Sequence, residues 1–283
     1  MLAALFKELP NLYLFVGFSL FCGTCIFLWV SQLPKIPPLQ NRPWGMDIPW
    51  VDFGLLLVTC LLVVVLAQTG LVPILKALKP DELESAIYNT FFFQGAILAA
   101  ILLLRWKSPR LYGESLDRPG PRRTGNLCLA TLGYFVKFMP LLWLASFLLI
   151  GLYSLLDYKP EPQKLVSLMA EASKARPLTF ACLAFGAVIL APVVEEILFR
   201  GYIHRFLRAK FTLPVAALGS SALFALIHFS VHAFVPLFLL SLLLSFVYER
   251  TGKILAPIVF HALYNAQTVS LILLQSVLPK TNF

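Results

Sequence analysis

The sequence predicts an all-α protein, a polytopic transmembrane helical bundle with about eight spans. Three observations carry this. Hydrophobic residues make up 59% of the 283 positions and charged residues only 13%, a balance that water-soluble domains do not show. Apolar runs long enough to cross a hydrocarbon core about 30 Å thick, which takes about 20 residues, recur along the chain. Short connections rich in proline, glycine and charge separate them.

In order, the expected spans cover residues 11–33, 53–75, 86–104, 127–156, 178–207, 213–229, 233–248 and 254–278. No strongly basic stretch precedes the first and no small-residue cleavage site follows it, so it reads as a retained helix rather than a signal peptide. The fourth carries Lys137, an intramembrane charge for which the sequence names no partner. The fifth carries Pro192, whose missing N–H predicts a kink or loosened turn. After the third span, RWKSPRLYGESLDRPGPRR (Arg105–Arg123) is the most basic and most Pro/Gly-rich connection. It divides residues 1–123, N-terminal spans and a basic loop, from residues 124–283, a core that holds nearly all the ionisable groups expected within spans.

The net charge of +9 sits in loops between apolar runs, which fits orientation and contact with anionic lipid head groups and not nucleic acid. Membrane lipid is therefore an expected partner; the pattern assigns no oligomeric state. The five cysteines fall in or beside apolar segments, where a thiol acts as a small hydrophobe. Cys22 and Cys25 have C-x-x-C spacing but no thioredoxin-like context.

Ionisable groups deep in lipid cost at least about 2.5 to 3.5 kcal/mol each, so they point to function and need partners. Three stretches supply them. In APVVEEILFRGYIHR (Ala191–Arg205) the adjacent Glu195 and Glu196 face different ways on a helix, whereas Glu196 and Arg200, four apart, can pair. That leaves Glu195 free. In SSALFALIHFSVH (Ser220–His232), His228 lies near the end of an apolar span, and His232 falls in what reads as a turn. In APIVFHALYNAQ (Ala256–Gln267), His261 and Asn265 project from one helical stripe. At a rise of about 1.5 Å per residue, Glu195, His228, His261 and Asn265 fall between about 11 and 24 Å from one membrane face, so they can meet.

A carboxylate, two imidazoles and a carboxamide suit hydrolysis. The carboxylate takes a proton from water that an imidazole holds, and the other imidazole and the amide donate to the developing oxyanion. No Gly-x-Ser-x-Gly elbow, Ser-Lys pair or cysteine occurs in these stretches, which favours activated water over a covalent nucleophile. A zinc site with carboxylate and imidazole ligands is the alternative, although His-Glu-x-x-His is missing.

These stretches carry a resemblance. EEILFR (Glu195–Arg200) resembles the Glu-Glu-x-x-x-Arg motif of the CPBP family, the CAAX proteases and bacteriocin-processing enzymes. FALIH (Phe224–His228) is similar to its Phe-x-x-x-His motif, and HALYN (His261–Asn265) to its His-x-x-x-Asn motif, in the family's order. The resemblance implies an eight-helix intramembrane endopeptidase whose substrates are membrane-associated peptides or lipidated proteins; eukaryotic members remove the last three residues of prenylated CAAX proteins. By the same resemblance Glu195 is the base, His228 helps orient the water, and His261 with Asn265 forms the oxyanion site, while Glu196 and Arg200 support the first helix. The family has been described both as metal-dependent, in which case Glu195, His228 and His261 are the expected ligands of a divalent ion such as zinc, and as glutamate-dependent and metal-free, which is the expectation adopted. His232 inherits no role.

Two other classes compete. A non-catalytic membrane protein acting in bacteriocin immunity or peptide sequestration could keep the fold, but it has no need to keep every motif residue. A proton-coupled transporter could use a Glu/His relay, but repeated halves and paired broken helices are not visible.

Overall fold

The computed structural model describes residues 46–112, 115–117, 127–158 and 163–277. Helix α1 (Trp50–Leu78) turns back on α2 (Glu82–Lys107), which is followed by the single turn α3 (Pro109–Tyr112) and by α4 (Leu127–Leu155). A 12-residue helix, α5 (Lys164–Ala175), leads into the 34-residue α6 (Pro177–Lys210). Helices α7 (Leu213–Leu226), α8 (Val231–Thr251) and α9 (Leu255–Val277) complete the bundle, and no strand occurs among the described residues.

Six of these, α1, α2, α4, α6, α8 and α9, are long and apolar enough to cross a membrane. The protein is an integral, multi-pass membrane protein. The expected spans from the second to the eighth each find a helix; the first, residues 11–33, lies outside the described residues. Helix α7, at 14 residues, reaches only about 21 Å and is shorter than a full crossing. The sequence reading left residues 157–177 between spans. The structure places α5 there, with Leu168, Met169 and Ala172 buried on one side. At about 18 Å it is too short to span.

The turns follow local chemistry. Lys79 ends α1 in the left-handed region (φ 50°), its N–H bonded to the Leu75 carbonyl. Asp81 then opens α2 with a capping box: its side chain accepts from the Glu84 N–H at 3.0 Å and the Glu84 carboxylate accepts from the Asp81 N–H at 3.3 Å, which satisfies two N–H groups the first turn would otherwise leave unpaired. Arg176, between α5 and α6, pairs with Asp81, and Lys164 at the start of α5 pairs with Glu82 at 3.0 Å. Both contacts tie α5 to the start of α2. In the basic connection, Asp117 accepts from the Ile254 N–H at 2.9 Å and pairs with Lys253 at 3.3 Å, so this loop caps the entrance to α9.

Helix α6 stays continuous through Pro192 because it winds wider on either side. Gly186–Leu190 and Ile197–His204 are π-helical, and Ala191–Glu196 between them is α-helical. π turns inside α-helices are frequent at functional sites. In the first, the Ala191 N–H bonds to the Gly186 carbonyl, and proline at 192 has no N–H to give. The Ala187 carbonyl therefore loses both donors it would use within the helix.

Apolar packing leaves the motif residues between two cores. One joins α1, α2, α6 and α7 through Leu56, Ile97, Val194, Phe199 and Phe224; the other joins α4, α8 and α9 through Phe138, Leu244 and Phe260. Val194 in the first and Phe260 in the second immediately precede Glu195 and His261. Lys137 lies exposed on α4, with no ion pair among the described residues, so its charge extends along the outer surface.

Candidate active site

Glu195 and Glu196 separate as the helical geometry requires. Glu196 is fully buried, and its Oε1 receives the Arg200 guanidinium at 2.9 Å and His261 Nδ1 at 2.9 Å. Arg200, also fully buried, places its other terminal nitrogen on the Ser241 carbonyl at 2.8 Å and the Ser241 hydroxyl at 2.7 Å. Its guanidinium lies 5.1 Å from the centre of the Phe224 ring. This charge pair therefore links α6 to α8 and α9. Ser241 and His261 add hydrogen bonds to this buried ion pair, while Glu196 Oε2 and Arg200 Nε have no hydrogen-bond partner among the described residues.

Glu195, half-buried, points elsewhere. Its Oε1 accepts from Gln94 Nε2 on α2 at 3.3 Å, and it lines a cavity of about 740 Å³ together with His228, His261 and Asn265. The four residues that sequence spacing selected thus share one chamber, while Glu196 and Arg200 stand behind its wall. Phe224 is a common support: its ring centre lies 4.8 Å from that of His228 and 5.9 Å from that of His261.

The hydrogen bonds restrict the tautomers. His228 Nδ1 lies 2.7 Å from the Phe224 carbonyl, which only accepts, so Nδ1 carries a proton and the neutral ring presents Nε2 as an acceptor. His261 Nδ1 is committed to Glu196, which leaves Nε2 as its ring nitrogen for a ligand. Asn265 gives one N–H to the Ala187 carbonyl at 2.8 Å. That is the carbonyl left without a helical donor by Pro192, so the π turn and the asparagine are one arrangement. The second N–H of the amide is left over for the cavity.

Two placements correct the sequence reading. His228 sits in the turn just after α7 rather than within it, and His232 lies in the first turn of α8 rather than in the connection. They belong to different elements and so do not share one helical face as an i, i+4 pair, although His232 does reach the cavity. Among the described residues no three His, Cys, Asp or Glu side chains gather as a metal-ligand set, Glu195, His228 and His261 included.

Sequence reasoning missed Gln94 and Ser241. Gln94 was visible as the polar residue of FFFQGAIL within an expected span, but unlike Asn265 it has no ionisable residue four positions away to mark a polar stripe. A second buried polar set was also not anticipated: Glu249 on α8 accepts from Arg208 at 2.9 Å and meets His204 Nε2 at 3.0 Å, with Ser220 3.2 Å from His204 Nδ1. None of these four lines the cavity.

Comparison with protein families matches residues 177–267 to the Rce1-like type II CAAX prenyl endopeptidases. The match runs from the start of α6 into α9 and takes in all three motifs, in agreement with the CPBP resemblance, and it implies a membrane CAAX endopeptidase. Searches of curated proteins and of solved structures give no match.

Proposed function

We propose that the chain is an intramembrane endopeptidase that hydrolyses a peptide bond of a membrane-associated substrate, a prenylated CAAX-type protein in the first instance, with water activated by Glu195 and His228. The observation that carries this reading is the meeting of Glu195, His228, His261 and Asn265 in one cavity, with Glu196 and Arg200 neutralising each other behind it.

Water held in the chamber gives one hydrogen bond to Glu195 and the other to His228 Nε2. Its oxygen attacks the carbonyl carbon of the substrate as Glu195 takes the proton. The spare N–H of Asn265 donates to the oxygen that becomes negative. His261 adds a second donor when both of its ring nitrogens carry a proton. Glu195 then passes its proton to the leaving nitrogen as the C–N bond breaks. No covalent intermediate and no metal ion is required by these steps.

The test is purified protein in liposomes with a prenylated CAAX peptide, followed by mass spectrometry of the products. Wild type is expected to release a C-terminal fragment, with or without chelator, and Glu195→Gln to lose at least a thousandfold in rate while keeping its fold. A chelator-sensitive rate would replace the metal-free reading. A comparison of protein termini in cells carrying wild type or Glu195→Ala tests the wider class: identical termini would favour peptide sequestration over cleavage.

A further inference from the structure

Gln94 lies on α2, outside the stretch matched to the endopeptidase family. It is 6% exposed and lines the cavity. Its Nε2 donates to Glu195 Oε1 at 3.3 Å, the orientation an ionised carboxylate requires since it can only accept. Its own carbonyl, Oε1, is buried and has no hydrogen-bond partner among the described residues. Buried carbonyl groups are nearly always paired, so an orphaned one in a ligand-sized chamber marks a place where a ligand donor belongs.

The donors a peptide substrate brings to such a chamber are its backbone N–H groups. We propose that Gln94 is a positioning residue with two arms: its N–H fixes the direction of the Glu195 carboxylate, and its carbonyl accepts a backbone N–H of the substrate close to the bond that is cut. This rests on the reading of Glu195 as the base. Through a single amide, substrate seating and orientation of the base become one event. Leucine at 94 fills the same space and supplies neither arm. Glutamate keeps an acceptor oxygen and loses the N–H.

Full-length wild type, Gln94→Leu and Gln94→Glu are compared in liposomes, with detergent melting curves to confirm that each folds. Gln94→Leu and Gln94→Glu both lack the N–H that directs Glu195, so kcat is expected to fall about tenfold in each.

The second arm is read with CAAX peptides in which single backbone amides are replaced by esters. At one position the ester should cost wild type about tenfold or more in kcat/KM and cost Gln94→Leu nothing. An unchanged kcat in Gln94→Glu overturns the first arm, and equal ester penalties in wild type and Gln94→Leu overturn the second. If wild type itself fails to cleave, the endopeptidase reading falls, and with it the claim that Gln94 serves a base. Normal cleavage of every peptide by Gln94→Leu overturns both arms together.

Discussion

Glu195 and Glu196 share a peptide bond, yet Glu196 is fully enclosed against Arg200 and His261 while Glu195 opens onto the cavity beside Gln94. Adjacent positions on a helix diverge by about 100°, so one pair of letters gives a structural carboxylate and a chemical one. The two make different demands on substitution. Glu195→Gln alters a group at the edge of an open chamber and is expected to leave the melting temperature close to that of wild type. Substitutions in the buried pair are expected to act on the fold first.

Arg200→Ala leaves the Glu196 carboxylate buried without its countercharge, a change that costs about 3 to 5 kcal/mol. Arg200→Lys restores the charge but not the fork that reaches Glu196 and Ser241 together. Thermal denaturation in detergent should therefore rank wild type above Arg200→Lys and Arg200→Lys above Arg200→Ala. A lysine variant as stable as wild type would show that charge alone, without the two-sided hydrogen bonding, holds α6 to α8.

The charge pairing within α6 was legible because i, i+4 spacing fixes a shared face whatever surrounds it. The convergence of Glu195, His228, His261 and Asn265 was legible because depth in a membrane can be read by counting residues from a boundary. What spacing does not carry is the contact between helices far apart in sequence. Gln94 meets Glu195 across 101 positions, and Ser241 meets Arg200 across 41. Helix α5 was missed for a different reason: an amphipathic segment too short to span leaves no long apolar run. Pro192 predicted a disturbed helix, but not that Asn265 would satisfy the carbonyl that the disturbance releases.

Asn265 accordingly has a structural cost attached to its removal. Asn265→Ala leaves the carbonyl of the half-buried Ala187, at the cavity wall, without a protein donor, and an unsatisfied polar group costs up to about 1 to 3 kcal/mol where it is shielded from water. The expected outcome is a lower melting temperature even in protein without substrate. Hydrogen exchange across 186–196 should rise in the variant. Unchanged exchange there would mean that the π turn holds without the asparagine and that the residue serves the cavity alone.

Outside the membrane-crossing helices, Asp81 gives a pH-dependent contact. Hydrogen bonding from the Glu84 N–H, with Arg176 adding to it, holds the Asp81 carboxyl below the usual carboxylate range, and Asp81 in turn pushes the Arg176 guanidinium up. A depressed carboxyl contributes stability that is fully present above its unfolded value of about 3.9 and is lost as pH falls through the folded one. The α5 segment, which lines the cavity with Leu165, Val166 and Met169, should then be most firmly held near neutrality and loosen only in strong acid. Limited proteolysis around 163–176 measures this. Asp81→Asn should show the loosened pattern already at pH 7, and identical digestion of both proteins at both pH values would remove the anchoring role.

Gly186 begins the π turn at the cavity wall, where a Cβ would come within 3.0 Å of Thr90 Cγ2 on α2. Threonine is stiff at χ1, so its methyl cannot simply swing aside, and α2 and α6 would have to move apart beside Glu195. At Gly201 the added carbon would meet Leu116 Cδ2 at the same distance, but that atom is the end of a flexible side chain. Gly186→Ala is therefore expected to cost about 1 to 3 kcal/mol, the range for overpacking, and Gly201→Ala less. Combining Gly186→Ala with Thr90→Ser removes the obstructing methyl and should recover most of the melting temperature. A double variant no better than Gly186→Ala alone would locate the strain within the turn of α6 itself, where glycine would serve the winding of the helix rather than the approach of α2.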